Sequence, residues 1–271
     1  MHKYTDTQKL GNLLAKKRFF ILDGDGTLYL WDRKMPSSDS FINKLASLGK
    51  KFIIMSNNDS QSKKERIRFL NRILNIEIQA DNLLLPNDIV ESFLLKNKIK
   101  SFDGLISNDF RNELIKKGFR FDSRNPEILI IGFDVNLNYN KIKRVVHHVN
   151  NGVNFILTHV DPLCPYKDNM ELPDAGLIDG LIEKATGKKP AAIFGKPYRE
   201  YLEYALNSNG FSKNDSVLVG DRLETDIKMA NENGIISIWL YGQDSQLAKL
   251  KNSEYKPDIC LKSIADLCEL F

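Results

Sequence analysis

The chain alternates short apolar runs with stretches in which apolar residues recur every three or four positions. The run Phe19-Phe20-Ile21-Leu22 predicts a buried strand, and Phe52-Ile53-Ile54-Met55 predicts a second one. Between them, the apolar positions of residues 41–48 predict a helix that begins near residues 38–39 and ends at Gly49. This order of strand, helix and strand is typical of βαβ units in a parallel sheet.

The same alternation returns near the end of the chain, where Ser216–Val219 and Ile235–Trp239 predict two further strands. The middle has its own elements, with strands predicted at 104–107, 128–133 and 153–157 and helices at 109–117 and 139–150. We therefore predict an α/β protein in which residues 83–194 form a domain inserted into an outer domain of residues 1–82 and 195–271.

The composition is that of a globular protein, with 271 residues, 42% hydrophobic and 27% charged, and a formal net charge of +4. Basic and acidic residues are interspersed, so no basic face for nucleic acid is expected. No apolar run is long enough to span a membrane or to form a signal peptide. The three cysteines have no metal-type spacing, which favours reduced thiols in a cytoplasmic protein.

The first candidate for chemistry is Asp23-Gly24-Asp25-Gly26-Thr27, which directly follows a predicted strand. Two carboxylates on the turn that leaves a buried strand project from its carboxyl end, the edge at which open α/β sheets bind ligands. An Asp/Gly turn without function explains this motif alone about equally well.

Three more polar clusters follow predicted strands or precede helices. Ser56-Asn57-Asn58 offers a hydroxyl and backbone amides for a phosphate, Gly195-Lys196-Pro197 offers a cation, and Asp221 and Asp226 offer oxygen ligands for a hard metal ion. Each of these clusters alone is explained as well or better by a polar turn or a helix start. Their joint order and placement favour a phosphate-handling site.

In that order, these motifs resemble those of the haloacid dehalogenase-like phosphatases. The insert between Ser56 and Lys196 resembles the C2-type cap of subfamily IIA, which contains the NagD-like and 4-nitrophenylphosphatase-like proteins. This likeness includes the segments His159-Val160-Asp161-Pro162, Pro173-Asp174-Ala175-Gly176 and Thr186-Gly187-Lys188-Lys189-Pro190. The resemblance implies a Rossmann-like parallel-sheet core that carries an inserted α/β cap domain.

The resemblance also implies roles for individual residues. Asp23 would be the nucleophile that forms an aspartyl-phosphate, and Asp25 would be the general acid and base. Mg²⁺ would be held by Asp23, the backbone carbonyl of Asp25 and Asp221, with Asp226 in an outer position. Thr27, Ser56, Asn57, Asn58 and Lys196 would bind the phosphate of a small phosphorylated metabolite.

The chain departs from the family's usual residues in and near the cap. Asp59 stands where Ser is common, His159-Val160 where Asn-Pro is frequent, and Asp174 where Gly is frequent. Asp174 is a candidate for binding a hydroxyl or amine of the leaving group, although a turn-forming Asp is the simpler interpretation. The resemblance names no substrate and leaves a homodimer through the cap open.

Rival functions differ in one residue or one property. A dehalogenase of the same superfamily would not need the acid Asp25, and a P-type ATPase would need membrane helices. A phosphotransferase differs only in the group that attacks the intermediate and stays open. A catalytically silent binding protein of this fold also stays open, although the residues of all four motifs are present.

Overall fold

The computed structural model describes residues 7–166 and 170–271. The helices are α1 (Thr7–Ala15), α2 (Ser38–Ser47), α3 (Lys63–Leu74), α4 (Pro86–Lys96), α5 (Asn108–Lys116), α6 (Tyr139–Asn150), α7 (Ala175–Thr186), α8 (Arg199–Asn209), α9 (Lys228–Asn233), α10 (Leu247–Asn252) and α11 (Ile264–Glu269). The strands are β1 (Phe19–Leu22), β2 (Tyr29–Leu30), β3 (Arg33–Lys34), β4 (Lys51–Met55), β5 (Leu83–Leu84), β6 (Ser101–Leu105), β7 (Arg120–Phe121), β8 (Ile128–Ile131), β9 (Phe155–Leu157), β10 (Leu163–Pro165), β11 (Glu171–Pro173), β12 (Ala192–Ile193), β13 (Ser216–Gly220), β14 (Ile236–Leu240) and β15 (Ile259–Leu261).

The contacts divide the chain into two compact units. The core unit comprises the residues up to Ser56 together with Ile67–Leu84 and Lys196–Phe271, and the inserted unit comprises Asn57–Arg66 and Leu85–Gly195. Residues 57–66, placed in the outer domain by the sequence pattern, thus make their contacts within the inserted unit. The assignment of functional domains stays a prediction.

The core unit is built on a six-stranded parallel sheet in the order β15-β14-β13-β1-β4-β5. All four residues of β1 are fully buried, as expected for a central strand covered on both faces. Phe20 packs edge-on against Phe41 of α2 and against Phe271, which joins one side of the sheet to its helices. The predicted α/β class with a parallel sheet is confirmed.

The inserted unit has its own five-stranded parallel sheet, in the order β12-β9-β8-β6-β7. Its core contains Leu129 and Ile131 of β8 together with Ile178 and Ile182 of α7. Strands β10 and β11 pair in the antiparallel direction and complete the described strands of this unit. None of the helices in residues 7–166 and 170–271 combines the length and apolarity that crossing a membrane requires.

One strand was predicted at the wrong residues: β6 occupies Ser101–Leu105, whereas the sequence pattern predicted residues 104–107. Its centre carries Asp103, which is fully buried and is paired with the guanidinium of Arg144 at 2.5 and 3.0 Å. A buried polar residue with a distant partner interrupts the apolar run from which strands are recognised. Ser107, predicted as the strand's end, is instead the N-cap of α5 and accepts a hydrogen bond from the Phe110 backbone N–H.

Candidate active site

The central strands of the core unit end in the predicted polar residues. Asp23 follows β1, Ser56 follows β4 and Asp221 follows β13, and these three strands are neighbours in the sheet. The Asp23 backbone N–H donates to the carbonyl of Val219 at 2.8 Å, which fixes the turn after β1 against the neighbouring strand. Parallel strands present their carboxyl ends at one edge, so the topology gathers these side chains there.

Three carboxylates lie at this edge. Each of Asp23, Asp221 and Asp226 offers an oxygen atom, and these three atoms lie within 4.8 Å of one another. Asp23 and Asp226 are buried, whereas Asp221 is partly exposed. The predicted partners Asp23, Asp221 and Asp226 are therefore brought together.

Lys196 is buried among these carboxylates. Its ammonium group donates to Oδ1 of Asp23 and, at 2.8 Å, to Oδ1 of Asp226. Burial lowers the pKa of Lys196, but the carboxylates of Asp226 and Asp23 outweigh that effect and raise it, so the side chain stays charged. Asp226 therefore holds Lys196 in place, a contact that the sequence did not predict.

The cluster carries more negative than positive charge. Burial raises the pKa of Asp226 to about 6, and Lys196 opposes that rise. Burial also raises the pKa of Asp221 well above its ordinary value, reinforced by Asp23 and Asp226. Arg222 and Lys196 supply two positive charges against these three carboxylates. A divalent cation removes the surplus and stabilises the ionised carboxylates.

The donor atoms fit such a cation. Oδ2 of Asp23 and Oδ1 of Asp221 are buried and have no hydrogen-bond partner in the described part of the chain. Buried polar atoms are rarely left unsatisfied, and carboxylate oxygens are the ligands that Mg²⁺ prefers. The residues present therefore suit a hard divalent metal ion.

A glycine and a tryptophan hold Asp221 close to the Asp23–Thr27 motif. Gly26 has a φ of +89°, and a Cβ atom at this position would lie 2.2 Å from Oδ2 of Asp221. Only glycine accommodates both the left-handed conformation and this close approach. The indole N–H of Trp239 donates to the Asp221 carbonyl at 2.8 Å and holds the turn from the next strand.

The second acid of the motif, Asp25, is oriented locally. The hydroxyl of Tyr29, on the short strand β2, donates to Oδ2 of Asp25 at 2.9 Å. Thr27 is buried next to it, and its Oγ1 has no hydrogen-bond partner among the residues described. The two short strands β2 and β3 form an antiparallel hairpin that the sequence pattern did not predict.

Ser56 is positioned through its backbone. The hydroxyl of Tyr201 on α8 donates to the carbonyls of Ser56 and Leu84, at 2.7 and 2.9 Å. The Ser56 N–H donates to the Leu84 carbonyl at 3.2 Å. Because α8 begins three residues after Lys196, one helix start helps to fix both the serine and the lysine.

The other predicted binding residues belong to the inserted unit. The Asn57 amide donates to Asp161 at 3.2 Å, and Oδ1 of Asn58 accepts from the N–H and the hydroxyl of Ser60, an Asx-type turn. Asp174 is the N-cap of α7 and accepts from the Ala175 N–H at 2.7 Å.

Asp174 also belongs to a second buried cluster, with Asp59 and His159. Burial raises the pKa of Asp174 to about 7. Burial lowers the pKa of His159, but the carboxylates of Asp174, Asp59 and Asp161 raise it to about 9. From the sequence, Asp59 and His159 are predicted only as departures from the family pattern, and Asp174 also as a candidate for binding the leaving group. Their separation along the chain gave no signal that they meet.

Comparisons with known proteins agree with the arrangement in the core unit. A family model described as haloacid dehalogenase-like hydrolase matches residues 20–120, and one described as HAD-hydrolase-like matches residues 193–267. The solved structure of a 4-nitrophenylphosphatase from Thermotoga maritima superposes with a TM-score of 0.89 at 32% identity, covering 95% of this chain and 98% of that one. The chain belongs to the haloacid dehalogenase-like hydrolases.

Curated relatives of this hydrolase are similar over nearly their whole length. A dihydroxyacetone phosphatase from Corynebacterium glutamicum is 26% identical, over 92% of this chain and 90% of its own. The ribonucleotide monophosphatase NagD from Escherichia coli is 25% identical, over 91% of this chain and 96% of its own. The expected membership among the NagD-like and 4-nitrophenylphosphatase-like phosphatases, as a phosphoric monoester hydrolase, is confirmed.

Proposed function

We propose that this hydrolase is a Mg²⁺-dependent phosphatase that transfers the phosphoryl group of a small phosphate monoester to Asp23 and then to water. The observation that carries the proposal is the convergence of Asp23, Lys196, Asp221 and Asp226 at one edge of the core sheet. A nucleophilic carboxylate, a fixed ammonium group and a cation-binding set of oxygens are the parts that phosphoryl transfer requires.

In the first step, a carboxylate oxygen of Asp23 attacks phosphorus, and the bond from phosphorus to the ester oxygen breaks. Oδ1 of Asp23 faces the Lys196 ammonium group, which orients the carboxylate and neutralises part of the charge that the phosphate brings. Asp25 gives a proton to the departing alkoxide, and Tyr29 holds the Asp25 carboxyl group in a fixed orientation.

In the second step, Asp25 takes a proton from water, which attacks phosphorus while the bond from phosphorus to Asp23 breaks. The two carboxyl groups have different tasks, so neither replaces the other. The metal ion would be held by Asp23, Asp221 and the backbone carbonyl of Asp25, and when bound it neutralises phosphate charge as a Lewis acid. Asp226 supports the site by holding Lys196.

We further propose that Ser56 and Thr27 contribute hydroxyl groups to phosphate binding. Ser56 is held by Tyr201 through its backbone, and the Thr27 hydroxyl has no protein partner in the described residues. The roles of Asn57, Asn58 and Asp174 in substrate binding stay predictions. So do the specificity role of the inserted unit, a homodimer through it and a cytoplasmic location.

The substrate is a small phosphorylated metabolite in this proposal. The relatives carry different names, a dihydroxyacetone phosphatase, a ribonucleotide monophosphatase and a 4-nitrophenylphosphatase. A shared phosphate site with variable leaving groups accounts for that variety. Ranking kcat/KM over a panel of phosphate esters, including sugar, glycerol-type and nucleoside phosphates, identifies the preferred class.

The test of the chemistry is hydrolysis of 4-nitrophenyl phosphate with Mg²⁺. Asp23→Asn is expected to lower kcat by about 10³-fold or more, because an amide is not a competent nucleophile. Asp32→Asn, the same change at an exposed aspartate, serves as the matched control and should leave kcat unchanged. Wild-type turnover by Asp23→Asn would refute the proposal, and an inactive wild type would favour the silent binding protein.

A further inference from the structure

The second buried cluster lies in the inserted unit and is made by residues from three segments. Asp59 lies in the segment between β4 and α3, His159 follows β9, and Asp174 caps α7. Asp59 and His159 are each 1% exposed, and Asp174 is 5% exposed. Each offers one atom to a group within 4.8 Å.

The central atom of this cluster is Nε2 of His159. It lies 3.5 Å from Oδ1 of Asp59 and 3.4 Å from Oδ1 of Asp174, and it is a buried atom without a hydrogen-bond partner in the described chain. Both distances are longer than the donor-to-acceptor distance of an ordinary N–H···O hydrogen bond, which is about 2.7–3.2 Å. The imidazole therefore faces two carboxylates without bonding well to either.

The same separations suit ligands of one tetrahedral metal ion. Zinc binds imidazole nitrogen at about 2.0–2.1 Å and carboxylate oxygen at about 2.0–2.2 Å, so two such ligands lie about 3.3–3.5 Å apart. The two nitrogen-to-oxygen distances at His159 fall in this range. A metal ion at the centre would give Nε2 of His159 its partner. It would be a second partner for the two carboxylate oxygens, which already accept backbone N–H groups, Oδ1 of Asp59 from Phe133 at 3.2 Å and Oδ1 of Asp174 from Ala175 at 2.7 Å.

The other nitrogen of the ring, Nδ1, lies near the carboxylate of Asp161. Its Oδ2 atom lies 3.9 Å from Nδ1 and also accepts from the Asn57 amide at 3.2 Å. Histidines that bind metal through one nitrogen commonly donate the other N–H to a carboxylate. In the structure Nδ1 accepts a long hydrogen bond from the Asp161 backbone N–H at 3.4 Å, and metal binding through Nε2 would exchange this contact for donation to the carboxylate.

Charge and space also favour a cation. Asp59, Asp161 and Asp174 place three carboxylates around one imidazole, and the largest charge effects on His159 come from these three residues. Thr158 Oγ1 is buried without a partner in the residues described. A Cβ atom at Gly132 would lie 2.2 Å from Oδ2 of Asp59 and 2.8 Å from Thr158 Oγ1, so the glycine leaves room beside both oxygens.

We propose that Asp59, His159 and Asp174 bind a divalent transition-metal ion of the zinc class, which ties three segments of the inserted unit together. A set of one imidazole and two carboxylates suits zinc better than magnesium, which prefers oxygen ligands alone. The proposed site shares no residue with the phosphatase site and does not depend on the proposed reaction.

The test is metal binding by the purified, metal-stripped protein in excess Mg²⁺, which fills the oxygen-rich site of the core unit. Zinc content after dialysis and the visible spectrum after Co²⁺ addition are compared for wild type, His159→Asn and His147→Asn. His147 is an exposed histidine of the same unit and serves as the matched control. We expect one tightly held equivalent, with the intense bands of tetrahedral cobalt, in wild type and His147→Asn only.

A second variant and a direct observation cover the case in which His159→Asn does not fold. Asp174→Asn keeps an oxygen that can cap α7 and should lower zinc affinity at least tenfold. Anomalous scattering at the zinc edge should place a peak between Asp59, His159 and Asp174 in wild-type crystals. Equal zinc content in wild type and the folded variants, an octahedral cobalt spectrum, or no such peak would overturn the proposal.

Discussion

Alanine at position 26 separates the geometry of the site from the stability of the fold. The new Cβ atom would lie 2.2 Å from Oδ2 of Asp221, whereas real Cβ atoms essentially never approach another heavy atom to less than 3.0 Å. The Asp221 carboxylate must therefore move by about 1 Å, and a misplacement of that size costs on the order of 10²-fold in rate. That factor corresponds to about 2.7 kcal/mol of transition-state stabilisation.

A matched glycine measures the cost of the backbone conformation alone. Gly210, at the end of α8, has a φ of +70°, and a Cβ atom there would meet nothing within 4 Å. Alanine in a left-handed conformation costs about 1–2 kcal/mol, so both variants should lose that much free energy of unfolding. Only Gly26→Ala should also lose activity.

The assay is kcat/KM for 4-nitrophenyl phosphate as a function of Mg²⁺ concentration, with urea unfolding followed in parallel. We expect Gly26→Ala to require more Mg²⁺ for half-maximal activity and to stay about 10²-fold slower at saturation. Equal activity of the two variants would show that the approach of Asp221 to Gly26 does not matter for catalysis.

Three further predictions follow from the same site. Lys196→Met leaves the buried carboxylates of Asp23 and Asp226 without their ammonium partner. The free energy of unfolding, measured with urea, should therefore fall by about 3–5 kcal/mol, and activity should be lost. Adding Asp226→Asn should recover part of that free energy of unfolding. Excess chelator should stop hydrolysis, and Mg²⁺ should restore it. Asp221→Asn should raise the Mg²⁺ concentration needed for half-maximal rate at least tenfold. Activity that persists in chelator would contradict the metal requirement. Tyr29→Phe removes the hydroxyl that donates to Asp25. It should lower kcat about tenfold, which is the effect of losing one hydrogen bond to a charged group, and leave KM unchanged. An unchanged kcat would show that this contact does not orient the acid.

The sequence pattern locates a strand best when all of its residues are apolar. The strand Phe19–Leu22 is found at its predicted residues, because a central strand covered by helices on both faces has no polar position to obscure it. The strand Ser101–Leu105 was misplaced, because its buried Asp103 depends on Arg144, which lies 41 residues away. Such pairs are set by tertiary contacts and leave no local pattern.

The same distinction holds for the candidate site. The placement of Asp23, Ser56 and Asp221 at strand ends followed from the order of strands and turns, since parallel strands share one carboxyl edge. The bond between Lys196 and Asp226 did not follow, because Asp226 lies in a π-helical turn (Leu223–Ile227) whose geometry a short helical pattern does not reveal. The meeting of Asp59 with His159 is likewise a product of the tertiary fold.

The most direct measurement of the central claim is a search for phosphate on Asp23. The variant Asp25→Asn is mixed with 4-nitrophenyl phosphate and Mg²⁺, quenched in acid within milliseconds to seconds, and mapped by peptide mass spectrometry. Because 4-nitrophenolate leaves without a proton, the first step should proceed while the attack of water is slowed. The account predicts a burst of one equivalent of 4-nitrophenol and a phosphorylated peptide carrying Asp23. Phosphate on a different residue, or turnover with neither a burst nor a labelled peptide, would contradict it.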